Sequence, residues 1–273
     1  MKSLLRDAIY GLAVGDALGV PGEFQGRDSY RIGGMVGGGA HGKPAGTFSD
    51  DTSMTLATCD SIRACGGVDV DDMRERFRAW LRNGDYAVDG DVFDVGMTVS
   101  RSLSLGRGLD GERDNGNGSL MRIVPLAFVD GVTDEQIEAA SAITHAHERS
   151  RRACVVYVRL AQELAAGRPV LDALRSLPAA EPFERLPRMD QVPREDVRST
   201  GYVIDTLEAA LWALATTSSF EECTLAAVNL GNDTDTVGAV SGALAGIVYG
   251  FDAIPATWIE TLRGKEIIES CLF

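Results

Sequence analysis

The sequence predicts an all-α fold, in which residues 1–273 form a single compact, multi-helix globular domain. Apolar residues recur at three- and four-residue steps along most of the chain, as they do on the buried face of a helix. Sustained alternation of apolar and polar residues, which is typical of strands, is scarce. Hydrophobic residues make up 45% of the chain, which is enough to bury a sizeable core.

The apolar repeats also give the approximate positions of the helices. These are residues 4–12, 54–62, 73–81, 137–143, 155–164 and 203–214. Residues 33–46 are rich in glycine and predict a loop. Residues 169–193 hold five prolines and many charges, so we expect a short helix followed by an irregular surface excursion. No long linker marks a second domain.

Two series of glycines, each with a four-residue spacing, refine the predicted fold. The members are Gly11, Gly15 and Gly19 in the first series, and Gly238, Gly242, Gly246 and Gly250 in the second. Glycine at this spacing lines one face of a helix and lets another backbone approach closely. Since glycine inside a helix costs about 0.5–1 kcal/mol relative to alanine, the two series predict a pair of central, tightly packed helices.

Charge and cysteine content exclude several classes of function. The chain has 26 Lys plus Arg and 40 Asp plus Glu, a net charge of −14, which argues against an extended surface for nucleic acid or anionic membrane. The odd number of cysteines, five, and the lack of a CxxC pair or signal peptide predict reduced thiols in the cytoplasm. No stretch suits a membrane span, and a monomer is the expected state.

Two short acidic segments, residues 49–52 and 233–236, combine two carboxylates with hydroxyls and open predicted helices. Taken alone, either segment fits a helix cap, because Ser and Asp favour that position. Four aspartates in one place would repel strongly without cations, and hard divalent cations prefer oxygen ligands. The pair therefore predicts a shared, binuclear metal site in a central cleft.

Other polar residues have both a structural and a functional interpretation. Asp16 interrupts an apolar helix and is either a buried, hydrogen-bonded acid, which we expect, or a residue that supports the ligands of the site. Glu23 follows a Pro-Gly turn, where it either does nothing or acts as a general acid or base beside the metals. Residues 115–122 predict a turn and a helix start whose amides could cradle a phosphate. His145 and His147 do not share a helix face, so they are not a metal-binding pair, and His41 is uninformative.

In order along the chain, these motifs resemble the ADP-ribosylglycohydrolase family, which includes dinitrogenase reductase-activating glycohydrolases and ADP-ribosyl-acceptor hydrolases. The matching positions are residues 11–19, 23, 49–52, 116–119, 121–122, 144–145, 201–202 and 231–236. This chain has Ser49 where many relatives carry Thr, and Asn232 where a second Gly is common. Neither difference removes a metal-binding group.

The resemblance implies two divalent cations, Mg²⁺ or Mn²⁺, and assigns roles to individual residues. By motif position, the metal ligands are Ser49, Asp50, Asp51, Asp233, Asp235 and Thr236. The implied substrate-contacting residues are Gly116, Asn117, Gly118, Ser119, His145 and Tyr202. The implied catalytic residues are Glu23, Asp50 and Asp51.

The implied reaction is hydrolysis of the glycosidic bond at the distal ribose of an ADP-ribosylated protein or small-molecule adduct, which releases ADP-ribose. Arginine is the first expectation for the acceptor. Two alternatives stay open: a non-catalytic reader of ADP-ribose or nucleotides on the same fold, and a two-metal phosphoesterase. The products distinguish them, because a phosphoesterase would release AMP or phosphate.

Overall fold

A computed structural model describes residues 2–273 of the chain and confirms the all-α prediction. The α-helices in this range are α1 (Lys2–Gly19), α2 (Asp50–Cys65), α3 (Val70–Asn83), α4 (Met97–Leu105), α5 (Asp134–Ser141), α6 (Glu148–Ala165), α7 (Val170–Arg175), α8 (Val203–Ala215), α9 (Phe220–Val228), α10 (Thr234–Tyr249), α11 (Ala256–Thr261) and α12 (Lys265–Cys271). Isolated bridges are the only β pairing found within residues 2–273.

Helices α1 and α10 form the centre of the domain, as the glycine spacing predicts. A Cβ atom built on Gly11 would lie 2.2 Å from the carbonyl oxygen of Gly242. One built on Gly15 would lie 2.0 Å from the carbonyl oxygen of Gly238. The two backbones are therefore in direct contact, which only glycine permits. Gly250 is an exception to the series: it follows α10 with a φ of 82° and has open space around it.

The other helices pack around this pair and bury a single core. Helices α8 and α9 pack against α10, α2 packs against α3 and α12, and α5 packs against α6. No helix within residues 2–273 has the length and apolar character needed to cross a bilayer. All five cysteines are free thiols, as their number and spacing predict.

The segment after α7 differs from its prediction. It was expected to be an irregular surface excursion, yet Phe183, Leu186 and Met189 are fully buried. Their three-residue spacing suits the 3₁₀ helix Leu186–Gln191, whose one face packs against α8. The prolines and charges of this segment make these three apolar residues hard to recognise as a buried stripe.

A second difference lies after the Asn-Gly-rich segment, where the sequence predicts a helix start. Turns follow Asn117 instead, and a 3₁₀ helix spans Val124–Phe128. Pro125 has no amide hydrogen and its ring clashes with the preceding turn of an α-helix, so a longer helix cannot form there. The predicted phosphate cradle consequently has turn geometry and not that of a helix end.

Candidate active site

The two acidic segments meet in one cavity of about 530 Å³, although they lie near opposite ends of the chain. Asp50 and Asp51 from the start of α2, together with Asp233 and Thr236 from the start of α10, line this cavity. The Thr236 hydroxyl lies 3.5 Å from Asp51 Oδ1 and joins the two segments. We call Asp50, Asp51, Asp233, Asp235 and Thr236 the acidic cluster.

Helix capping accounts for part of the first segment and not for the second. Ser49 is the N-cap of α2, and its side chain accepts a hydrogen bond from the Asp51 amide at 3.3 Å. Asp233 holds the same position in α10 but makes no capping hydrogen bond with its side chain. Its Oδ2 atom instead accepts a hydrogen bond from Asn117 at 2.9 Å. The side chain of Asp233 therefore does not cap α10, and Asp233 lines the cavity instead.

Asp16 anchors the first acidic segment to α1, and it is fully buried as expected. Its carboxylate accepts hydrogen bonds from the Ser49 amide at 2.9 Å and from the Thr52 amide at 3.0 Å. The Thr52 hydroxyl donates a third bond at 2.5 Å. Burial raises the pKa of Asp16 to about 7, while the bonds from Thr52 and Ser49 lower it. Asp16 thus fixes the position of the first turn of α2.

The acidic cluster contains buried carboxylate oxygens that lack a partner within the described residues. These are Oδ2 of Asp51 and Oδ2 of Asp235. Burial and then the neighbouring carboxylates raise the pKa values of Asp50, Asp51 and Asp235 well above the ordinary range. Unpaired, mutually repelling carboxylates are costly to bury. Oxygen-only ligands of this kind fit hard divalent cations, which would satisfy the free oxygens and offset the repulsion.

The glycines of the Asn-Gly-rich segment make room for His145. A Cβ atom on Gly118 would lie 2.9 Å from His145 Cε1, and one on Gly116 would lie 3.3 Å from Nε2. All three residues line the cavity together with Asn117. Burial lowers the pKa of His145 to about 3, so its imidazole is neutral. Its Nδ1 atom lies 2.9 Å from the Thr144 hydroxyl, which fixes the orientation of the ring.

Two predicted substrate-contacting residues are not among those that line the cavity. The side chain of Ser119 is fully buried and accepts a hydrogen bond from Ser141 at 2.9 Å. Tyr202 precedes α8, and its backbone pairs with that of Gly116. Both residues support the wall formed by residues 116–118, and neither side chain lines the cavity itself.

Glu23 lies at the edge of the cavity in a cluster that contains two residues the sequence interpretation missed. Its Oε2 atom is 2.5 Å from His41 Nε2, and the same imidazole nitrogen is 3.8 Å from Asp94 Oδ1. One donor atom from each residue lies within 4.8 Å of the others. Burial, followed by the charge of Asp94, raises the pKa of Glu23 to about 9. Both effects favour the protonated form of Glu23.

Four helices begin at the cavity. The residues at or next to the starts of α2, α4, α8 and α10 that line it are Asp50, Met97, Gly201 and Thr236. The partial positive charge of a helix N-terminus favours carboxylates and bound anions, including diphosphate. The cavity therefore combines a cluster of oxygen atoms that suits cations with walls that favour anionic groups.

Comparison with known proteins is consistent with this geometry. A family model described as ADP-ribosylglycohydrolase matches residues 1–272. An ADP-ribosylarginine hydrolase, Tri1, of Pseudomonas putida (strain GB-1) is 34% identical over 97% of this chain and 75% of its own length. An ADP-ribosyl-[dinitrogen reductase] glycohydrolase of Rhodospirillum rubrum is 35% identical over 94% of this chain and 90% of its own. A solved structure titled ADP-ribosylglycohydrolase-related protein complex superimposes with a TM-score of 0.83 and 34% identity, over 99% of this chain and 95% of that one.

Proposed function

Because this chain belongs to the ADP-ribosylglycohydrolase family and is a glycohydrolase, we propose that it removes ADP-ribose from modified arginine side chains. The bond cleaved is the N-glycosidic bond at the distal ribose. The observation that carries this proposal is the acidic cluster, in which Asp51 and Asp235 present unpaired oxygens beside a cavity of about 530 Å³. The relative whose name specifies arginine, Tri1 of Pseudomonas putida, supports this acceptor over serine.

The same carboxylates support a requirement for metal. The acidic cluster and the Ser49 hydroxyl would hold two divalent cations, Mg²⁺ or Mn²⁺. When bound, such ions position the hydroxyls of a sugar and make water a better nucleophile. Asn117 keeps Asp233 in place, since its amide donates to both Asp233 and Thr206 at 2.9 Å.

Glu23 is the residue best suited to transfer a proton. During hydrolysis the oxygen of water bonds to the anomeric carbon and gives up a proton, the carbon–nitrogen bond breaks, and the departing guanidine nitrogen takes up a proton. The raised pKa of Glu23, about 9, provides a carboxylic acid at the edge of the cavity. His41 orients this group through its 2.5 Å contact with Oε2.

The walls of the cavity suit the anionic part of the substrate. The amide of Gly118, a residue that lines the cavity, donates to no acceptor within the described part of the chain, so it is free to bind an oxygen atom of a diphosphate. His145 is neutral, so its ring offers a polar group to the substrate and does not form an ion pair with the aspartates. Turn amides and helix N-termini therefore replace the lysines that many phosphate sites use.

The test is release of ADP-ribose from arginine-linked and serine-linked peptides, measured with Mg²⁺, Mn²⁺ or EDTA. We expect cation-dependent release from the arginine-linked peptide. Release from the serine-linked peptide alone would overturn the assignment of the acceptor. Binding of ADP-ribose without release would indicate a reader, and AMP among the products would indicate a phosphoesterase.

Glu23→Gln should reduce kcat by about 100-fold or more, because an amide cannot supply the proton that the leaving nitrogen needs. Thermal shift on adding Mn²⁺ should stay as in the unaltered protein, since Glu23 lies outside the acidic cluster. A kcat within threefold of the unaltered protein would remove Glu23 from the mechanism. Glu112→Gln, at an exposed carboxylate paired with His147, is the matched control and should change neither quantity.

A further inference from the structure

Two exposed apolar side chains lie at the cavity. Phe24 is 69% exposed and Met97 is 84% exposed, and both line the cavity beside the acidic residues. The other exposed large hydrophobic side chains in the described part of the chain are Val36, Leu105 and Leu171, none of which lines it. We call Phe24 and Met97 the apolar rim. Large apolar groups gathered at one concave site indicate contact with a partner.

The backbone holds Phe24 outward at a cost. Its φ is 63°, in the left-handed region that side chains other than glycine rarely adopt, which costs about 1 kcal/mol or more. The hydrogen bond from the Phe24 amide to the Asn232 carbonyl oxygen, at 2.7 Å, fixes this conformation. Asn232 returns a bond from its amide to Gln25 at 2.8 Å. The fold therefore holds the phenyl ring exposed at the cavity on a strained backbone.

The apolar rim lies on the leaving-group side of the site. Phe24 directly follows Glu23, the residue that protonates the departing group. Met97 lies three residues after Asp94, which is grouped with Glu23 and His41. The ring of Phe24 lies beside that of His41, with a centroid distance of 5.8 Å. The His41 ring in turn lies beside that of Phe93, with a centroid distance of 5.0 Å. Phe24 is therefore next to the position at which the acceptor would be released.

Building on the arginine-directed function above, we propose that the apolar rim binds the polypeptide around the modified arginine, so that the enzyme favours ADP-ribosylated protein over free ADP-ribosylarginine. Charge selects the same partner, since Asp94 at the rim and the net charge of −14 complement a cationic, arginine-containing segment. Met97 suits varied sequences, because its flexible, polarisable side chain adapts to different apolar neighbours.

The test compares kcat/KM for an arginine-ADP-ribosylated protein with kcat/KM for free ADP-ribosylarginine. In Phe24→Ser, Met97→Ser and the double variant, the ratio of the two values should fall by about tenfold or more, as for an interface anchor. Leu105→Ser and Leu171→Ser, at side chains 58% and 43% exposed away from the cavity, are the matched controls and should leave the ratio unchanged.

Several outcomes would overturn the proposal. An unchanged ratio with equal losses on both substrates would assign the rim to the ADP-ribosyl group. An unchanged ratio together with loss of a dimer in sedimentation would assign it to a second copy of this chain. If the unaltered protein released ADP-ribose from neither substrate, the arginine-directed function would fail by itself. Affinity for the modified protein, measured by calorimetry against affinity for ADP-ribose, would then decide whether the rim binds polypeptide.

Discussion

Asp235→Asn should abolish turnover and also the rise in melting temperature that Mg²⁺ or Mn²⁺ produces. Asp235 is fully buried, and its Oδ2 atom has no partner within the described chain, so a bound cation is the natural occupant of that position. Loss of a metal-holding carboxylate removes several kcal/mol of transition-state stabilisation, which corresponds to a decrease in kcat of about a thousandfold or more.

The cation-free protein should tolerate this change well. Asparagine has the shape of aspartic acid and no charge, and burial together with nearby carboxylates already disfavours the charged form of Asp235 by raising its pKa. We therefore expect the melting temperature in EDTA to stay within a few degrees of the original. Melting curves with and without Mn²⁺ measure both effects. A retained cation-dependent shift, with normal metal content, would show that Asp235 is not a ligand.

Asp205→Asn is the matched control for this experiment. Asp205 is also buried and lies in the first turn of a helix, but each of its carboxylate oxygens has a partner, Thr200 at 2.7 Å and Arg198 at 2.8 Å. We expect its replacement to lower the melting temperature while the cation-dependent shift and the turnover persist. The two variants together separate metal binding from general loss of a buried acid.

Gly242→Leu should destabilise the protein severely, by about 3 kcal/mol or more. A Cβ atom at Gly242 would lie 2.3 Å from the carbonyl oxygen of Gly11, and the contacting atom belongs to a helix backbone that cannot rotate away. The gain in helix propensity on replacing glycine, at most about 1 kcal/mol, is too small to offset this clash. Chemical denaturation measures the difference, and an unchanged midpoint would contradict the central packing of α1 on α10.

The contact between α1 and α10 also sets the position of Asp235 relative to α1. A Cβ atom on Gly19 would lie 2.3 Å from the Cα atom of Asp235, so separation of the helices moves Asp235 relative to α1. Any Gly242→Leu protein that folds should therefore bind Mn²⁺ more weakly. Gly67→Leu is the control, because a side chain at that position meets open space and Gly67 has no positive φ.

The helices and the acidic cluster could be predicted because their signals are local. Periodic apolar residues specify each long helix, and the spacing of Gly11, Gly15 and Gly19 specifies close approach without naming the partner. The two segments with paired carboxylates are conspicuous because buried like charges need an explanation. The metal-ligand roles assigned to individual residues stay predictions.

His41 and Asp94 could not be predicted in the same way. His41 lies in a glycine-rich loop and Asp94 in the irregular chain between α3 and α4, where no periodicity reveals which side chains turn inward. Asp94 also adopts a φ of 56°, which depends on tertiary contacts and not on local preference. The proximity of His41 and Asp94 to Glu23 depends on the tertiary structure, which brings the three segments together.

The acidic cluster can assemble only late in protein synthesis, because α10 follows α1 and α2 by most of the chain. The contact between Asp51 and Thr236 joins residues 185 positions apart in the sequence. At a usual elongation rate, the ribosome needs roughly 10 to 40 s to make the intervening chain. During that time the first two aspartates have no partners for a metal site, and a chain released before residue 233 never acquires them. Incomplete copies therefore cannot build the acidic cluster, so completion of translation becomes a condition for its assembly.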